Sequence, residues 1–578
     1  MNIESYEFSS LGRDMLSKNK KAEDWPVVYL INSDEKMYIG ETQNAVVRFE
    51  QHLKSPEKKG LKVINVIYDD EFNKSAILDI EQSLIQLCGA DGKYKLLNCN
   101  GGQSSKHNYY QRKKYLDKID DIWRALKKKK IVVNDLEDIR NSDLFKYSPY
   151  NTLTAEQSAA SNAIIEDIVE KLSKNIDGTA IINGGAGTGK TIVLTNLMYK
   201  LVNATRFDVD DSLDDPDASE YLHLMMLIQN YLKKHGEGSK KLKIGYICPM
   251  SSLRKTMKKV FRLTANGLKS EMVIGPFDIL RSEDKFDVLL VDEAHRLARR
   301  KNISFMGTFD QNARKLGLDP MTATELDMIV AKSRYRVLVY DRNQSVKGSD
   351  LTDEQFFDAL SDSSVLTKKL STQMRCLGGE EYTDYLDRIF DCEQLEKEEI
   401  ENYDFKIFDD AKKMIDAIRE LDKKYGLCRN AAGYSWRWRS KPYIKDGYDY
   451  ILKNGLADID IDGHHYVWNM TNEEFILSKN AVNEIGCIHT LQGYDLNYVG
   501  IIFGREIDYD PIRDEIVIDK EKFFDKNVKN GTDEETLKRY IINSYKVMMT
   551  RGIKGCYVYA YNRNLRDYLG RYIEKWKD

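Results

Sequence analysis

The chain has 578 residues, 42% hydrophobic and 31% charged, a globular composition that excludes a disordered chain and allows about three to five folding units. A net charge of −4 neither supports nor excludes a nucleic-acid partner, because a polyanion is gripped by local patches. The start Met1-Asn2-Ile3-Glu4-Ser5 has no leader pattern, no apolar run nears a membrane span, and the eight cysteines form no C-x-x-C pair, so a cytoplasmic protein with reduced thiols and no membrane partner is expected.

Residues 26–102 read as a small α/β unit. Val27 to Ile31 and Met37 to Ile39 are two short strands around a Ser33-Asp34-Glu35 turn, which predicts a hairpin. Helical spacing follows over Ala45 to Leu53 and again over Ser75 to Leu87, with Ile77, Ile80, Leu84 and Leu87 on one face. Next comes a charged helical connector with Tyr115, Ile119, Ile122 and Leu126 as an apolar stripe. Its Lys127 to Lys130 run reads as a solvated helix end.

From 151 onward apolar runs alternate with helical segments: Ala180 to Ile182, Ile244 to Ile247, Val288 to Val291, Arg336 to Tyr340, Val499 to Phe503 and Cys556 to Tyr559. Strands buried on both faces read as continuous apolar runs, and alternation with helices predicts parallel sheets. The acidic stretch Asp208 to Glu220 reads as a solvated insertion, placed at 205–222.

Gly184-Gly185-Ala186-Gly187-Thr188-Gly189-Lys190-Thr191 fits G-x-x-x-x-G-K-[ST] between a strand and a helix, the context the motif requires. Backbone N–H groups of such a loop, including Gly184, Gly187 and Gly189, close around phosphate oxygens. Lys190 would meet the β- and γ-phosphates and Thr191 would ligate Mg²⁺. Val288 to Val291 delivers Asp292 and Glu293, one to hold Mg²⁺ and the other to deprotonate the attacking water.

With these motifs the region 151–578 resembles superfamily 1 helicases, and more narrowly the Schlafen group 3-like DNA/RNA helicase domain. The matching stretches are Leu153 to Gln157, Cys248 to Leu253, Tyr340 to Gln344, Leu370 to Arg375, Ala432 to Trp438, Ile488 to Asp495 and Tyr545 to Gly552. The resemblance implies Gln157 as an adenine reader, Gln344 as a γ-phosphate sensor, and Arg375 and Arg551 as arginine fingers from a second lobe.

Val27-Val28-Tyr29 followed by Tyr38-Ile39-Gly40 looks like the strand pair that names the GIY-YIG nucleases, with Val27 and Val28 replacing the first Gly and Ile. Arg48 and His52 lie four apart, hence on one helix face. Glu81 sits in an apolar helix and Asn98 before Gly101-Gly102. The resemblance implies Tyr29 as general base with Tyr38 assisting, Arg48 neutralising phosphate, His52 bonding the tyrosine or phosphate, Asn98 in the catalytic set, and Glu81 holding one Mg²⁺ or Mn²⁺.

The expected architecture is α/β: a small GIY-YIG α/β nuclease domain at 1–105, a helical connector at 106–150, and two RecA-like lobes with parallel sheets at 151–362 and 363–578. The expected function is an ATP-dependent translocase or helicase coupled to a metal-dependent endonuclease, on DNA in preference to RNA, in anti-phage defence. A repair incision enzyme and a nucleotide-gated nucleic-acid remodeller without cleavage are the alternatives. Oligomeric state is not legible.

Overall fold

A computed structural model describes residues 1–98, 109–204, 219–235, 241–264, 267–301, 303, 305–341, 344, 345, 348–361, 364–394, 396–471, 475, 478–491 and 494–577. The acidic stretch expected at 205–222 falls mostly outside these residues, as do Gly101-Gly102, Arg342-Asn343 and Gln492-Gly493 of the motifs.

The first sheet comprises β1 (Asn2–Glu7), β2 (Val27–Asn32), β3 (Lys36–Thr42), β4 (Val63–Tyr68) and β5 (Lys95–Leu96), in the order β1-β4-β2-β3-β5. The β2–β3 hairpin is antiparallel and sets Tyr29 opposite Gly40 and Ile31 opposite Tyr38. Three helices flank it: α1 (Ser10–Leu16), α2 (Ala45–Lys54) and α3 (Lys74–Asp91). Asn44 and Asn73 cap α2 and α3 by accepting from Val47 N and Ala76 N, which satisfies donors that a helix start leaves open.

Because side chains alternate across a strand, this sheet has two apolar faces. Tyr29 and Ile31 pack with Phe49 of α2. Val28, Leu30 and Ile39 face α3, and there the core does not end. It continues through α4 (Arg112–Lys128), α5 (Leu136–Asn141) and α6 (Asp143–Lys146) into α7 (Ala155–Ser173) and α8 (Lys190–Asn203). The expected stripe Tyr115, Ile119, Ile122 and Leu126 is buried, while Lys128, Lys129 and Lys130 are exposed. Asp79 of α3 holds Arg112 through two bonds of 2.8 and 3.1 Å.

The second sheet joins β6 (Gly178–Gly184), β7 (Ile244–Ile247), β8 (Val273–Ile274), β9 (Phe286–Val291), β10 (Ser333–Tyr340) and β11 (Ser364–Leu370) in the order β11-β6-β10-β9-β7-β8, all parallel. The expected boundary at 362/363 gives β11 to the second lobe. Instead it pairs with β6 along seven residues, Ser364 to Leu370, because its main chain completes an edge that β6 leaves open.

The remaining strands are β12 (Asp404–Ile407), β13 (Cys428–Ala432), the hairpin of β14 (Ile459–Ile461) and β15 (His464–Tyr466), β16 (Ile485–Gly486), β17 (Leu496–Phe503), the hairpin of β18 (Ile507–Asp510) and β19 (Glu515–Ile518), β20 (Gly552–Ala560) and β21 (Glu574–Lys575). The third sheet runs β16-β13-β17-β20-β12-β21, again all parallel. The protein is thus mixed α/β with two parallel sheets, as its apolar runs predict. Among the described residues no helix is long and apolar enough to cross a membrane.

Candidate functional site

In the N-terminal unit the hairpin and α2 bring Tyr29, Tyr38 and His52 together. The Tyr29 hydroxyl lies 2.7 Å from His52 Nε2, and the Tyr38 and His52 ring centres are 5.1 Å apart. Gly40 makes this possible, since a Cβ there would stand 2.3 Å from the Tyr29 hydroxyl oxygen.

Burial raises the Tyr29 phenol well above its ordinary pKa; Arg48 opposes this, and Glu81 and Glu41 add to it. Burial, with Lys58 and Arg48 nearby, drives His52 down to about 2. Tyrosine and imidazole are therefore both neutral at physiological pH, with Arg48 and Lys58 as cations beside them.

Glu81 and Glu41 are the carboxylates that act on Tyr29. Lys74 takes one Glu41 oxygen at 2.5 Å, and the other, Oε2, is buried with no hydrogen-bond partner. Such oxygen donors suit Mg²⁺ or Mn²⁺. No group of three or more His, Cys, Asp or Glu side chains converges among the described residues, so an ion here would take its other ligands from water and phosphate.

Asn98 is bonded to the β3 backbone. Its side chain accepts from Ile39 N at 3.1 Å and donates to Ile39 O at 2.8 Å, pinning the residue between Tyr38 and Gly40. The Asn98 side chain thereby holds the strand that carries Tyr38. Lys58 went unnoticed in the sequence: it is buried, with Nζ 4.0 Å from the centre of the Tyr38 ring, and no motif marks it. Glu41 had a signal in its place directly after Gly40.

The second site lies where β6 turns into α8. Gly187 and Gly189 take φ values of 86° and 77°, the left-handed region open to glycine at little cost. Lys190 is buried and donates to Gly184 O at 2.5 Å, Gly185 O at 2.7 Å and Asp341 Oδ2 at 3.1 Å. Thr191 Oγ1 meets Asp292 Oδ1 at 3.2 Å, a hydroxyl and a carboxylate converging as a hard divalent ion requires. Burial, then Glu293, raises the Asp292 carboxyl.

Burial alone would raise Glu293 as well, but His295, Lys190 and Arg551 hold it below its ordinary value. His295 Nε2 stands 2.9 Å from Glu293 Oε2, without hydrogen-bond alignment. Glu293 also adopts φ 51°, an uncommon backbone for a non-glycine residue.

Gln157 is engaged by protein: its Oε1 accepts from Thr154 N, and its Nε2 donates to Thr188 O at 2.9 Å. An adenine would have to displace one of these bonds. Gln344 donates to Asp341 Oδ2 at 2.5 Å and accepts from Arg551 Nη2 at 3.5 Å. Arg375 pairs through Nε with Asp495. The segment after β11 lies over the glycine loop, with Met374 N donating to Gly187 O at 2.9 Å.

Lys190, Thr191, Glu293, Gln344, Arg375 and Arg551 thus line one cavity of about 130 Å³. Lys146 and Tyr147, from the end of α6, line it too. They lie outside every phosphate-binding motif, and no local signal marks them.

The model of one family, described as Schlafen group 3, DNA/RNA helicase domain, matches residues 178–562. A Saccharomyces cerevisiae protein named uncharacterized protein YPL245W is 28% identical over 466 residues, 73% of this chain and 92% of its own. Among solved structures, the Pif1 helicase from Candida albicans is 10% identical, covering 72% of this chain and 98% of that one, with a TM-score of 0.26. The DUF1998 helicase MrfA, bound to DNA and AMPPNP, is 9% identical, covering 72% of this chain and 52% of that one, with a TM-score of 0.23. Scores this low carry no argument about the present chain.

Proposed function

The chain belongs to the Schlafen group 3 DNA/RNA helicase domain family, and from that premise we propose that it is an ATP-driven nucleic-acid translocase joined to a GIY-YIG-type, metal-dependent endonuclease. DNA is the favoured substrate. The observation that carries the motor reading is the meeting of Lys190 and Thr191 of the glycine loop with Arg375 and Arg551 in one cavity.

Lys190 would bind the phosphate chain, and Gln344 would register its end through Arg551. Glu293, held ionised by the cations around it, would take the proton of the attacking water. Thr191 and Asp292 would hold Mg²⁺, which supplies charge neutralisation at the phosphates when bound. Loss of the γ-phosphate removes the charge that draws Arg375 and Arg551 inward, so opening follows hydrolysis.

In the N-terminal unit Tyr29 would orient the water and, as the phenolate, take its proton, with His52 Nε2 holding the phenol oxygen in place and Arg48 neutralising the phosphate. Glu81, with the buried oxygen of Glu41, would hold a divalent ion that supplies further charge neutralisation when bound. A phenol kept neutral by burial is a poor base, so added positive charge at the site is required to lower it.

Two variants test the pair of activities on the full chain. Lys190→Ala is expected to abolish ATP hydrolysis stimulated by single-stranded DNA while cleavage chemistry survives on a short substrate. Glu81→Ala is expected to abolish Mg²⁺-dependent cleavage while ATP hydrolysis survives. An unchanged rate in either case removes that half of the reading. A role in anti-phage defence rests on the resemblance to bacterial nuclease–helicase fusions, and plaque counts on cells carrying either variant test it. A second reading, incision of the cell's own damaged DNA, predicts faster cutting of lesion-bearing duplexes.

A further inference from the structure

The connector between the N-terminal unit and the motor reaches the nucleotide cavity. Ser142 caps α6 by accepting from Phe145 N at 3.2 Å. Thr256, on the helix Ser251–Leu263, donates to Asp143 Oδ2 at 3.3 Å. Asn151 donates to Lys146 O at 2.8 Å. These contacts aim the last residue of α6 across the cleft, where Lys146 Nζ donates to Asp495 O at 2.9 Å.

The charge balance there is uneven. The cavity is lined by four cations, Lys146, Lys190, Arg375 and Arg551, and two carboxylates, Glu293 and Asp495; Lys190 has its own partner in Asp341, just outside the lining. Asp495 already pairs with Arg375. Arg375 Nη1 is buried with no hydrogen-bond partner, a costly state for a charged donor unless an anion arrives. Lys146 donates to the Asp495 main-chain carbonyl, with the Asp495 and Asp143 carboxylates nearby; a phosphate oxygen is a stronger acceptor than that carbonyl.

We propose that Lys146 is a nucleotide-binding residue supplied from outside both lobes, which joins Arg375 and Arg551 on the terminal phosphate of a nucleoside triphosphate. The proposal rests on the motor reading above. It assigns Lys146 to the end of the phosphate chain, opposite the glycine loop, so it distinguishes a triphosphate from a diphosphate. Because Lys146 continues from the helices packed on α3, the same contact would report nucleotide state toward the N-terminal unit.

The test is equilibrium binding of fluorescent AMPPNP and fluorescent ADP to the full chain with Mg²⁺, read by anisotropy, so no turnover is needed. Lys146→Ala is expected to weaken AMPPNP about tenfold and ADP less than twofold, the worth of one charge-assisted hydrogen bond. Lys146→Arg, which keeps the charge, is expected to retain most of the AMPPNP affinity. Parental affinity for both nucleotides, or an equal loss for both, overturns the proposal, since a mere strut to the second lobe would not discriminate. Where the alanine variant fails to fold, Lys146→Gln is read against the same two outcomes. Lys190→Ala serves as control: if it binds both nucleotides like the parent, the motor reading fails, and that failure is distinguishable from failure at Lys146.

Discussion

In the N-terminal unit the reactive rings meet as neutral partners, Tyr29 against His52 at 2.7 Å, inside an apolar cluster that holds them. In the nucleotide cavity the groups are charged, and their bonds go to protein atoms that a ligand must replace: Lys190 to loop carbonyls, Lys146 to a carbonyl, Arg375 to Asp495. The first site is built by packing. The second is built by exchangeable contacts drawn from the connector and both lobes, so it is the one expected to rearrange on binding.

The sharpest way to break this contrast is Gly40→Ala. Its new Cβ would press on the Tyr29 hydroxyl, and a displacement near 1 Å costs about 100-fold in cleavage rate, while ATP hydrolysis should not change. An equal loss in both assays would show that the N-terminal site is not separately organised.

Acid sharpens the contrast next. His52 titrates near 2 when folded and near 6.5 when exposed, so between those values the unfolded state binds the extra proton. The stabilisation is complete above about 6.5 and declines as pH falls. From pH 7.5 to 5.5 the loss at this one group is about 1.4 kcal/mol. Hydrogen exchange in β2 and β3 should show that loss, and His52→Gln should remove it; a pH-independent parent would contradict a buried neutral imidazole.

The smallest expected effect probes the seam. Tyr199 of α8 donates to Asn98 O, and Tyr199→Phe should cost about 0.5–1.5 kcal/mol in thermal unfolding, with slower cleavage through loosening of Asn98. Unaltered stability would mean that Asn98 is held by its Ile39 bonds and the Tyr150 hydroxyl without help from Tyr199.

Much of the fold was readable because its signals are local. The runs at Ala180, Val288 and Val499 become central parallel strands, since a strand covered on both faces must be apolar throughout. The spacing of Arg48 and His52, and the glycine loop before Lys190, likewise announce their chemistry within a few residues. What stayed hidden depends on distant partners. β11 looks no different from a strand of the following lobe until β6 claims it. Lys146 meets Asp495 across 349 residues, and neither neighbourhood hints at the other. Asn98 belongs to the expected set, yet its task is fixed by a strand 59 positions away.

One apolar core runs unbroken from β2 and β3 through the connector to α7 and α8. A swinging arm between the first two sheets would have to tear that core open, exposing Trp123, Tyr150 and their neighbours to water. If the proposed motor works, its stroke would be a motion of the third sheet against a single block, and a cut made at Tyr29 would fall at a fixed offset from wherever the glycine loop stands on the polymer.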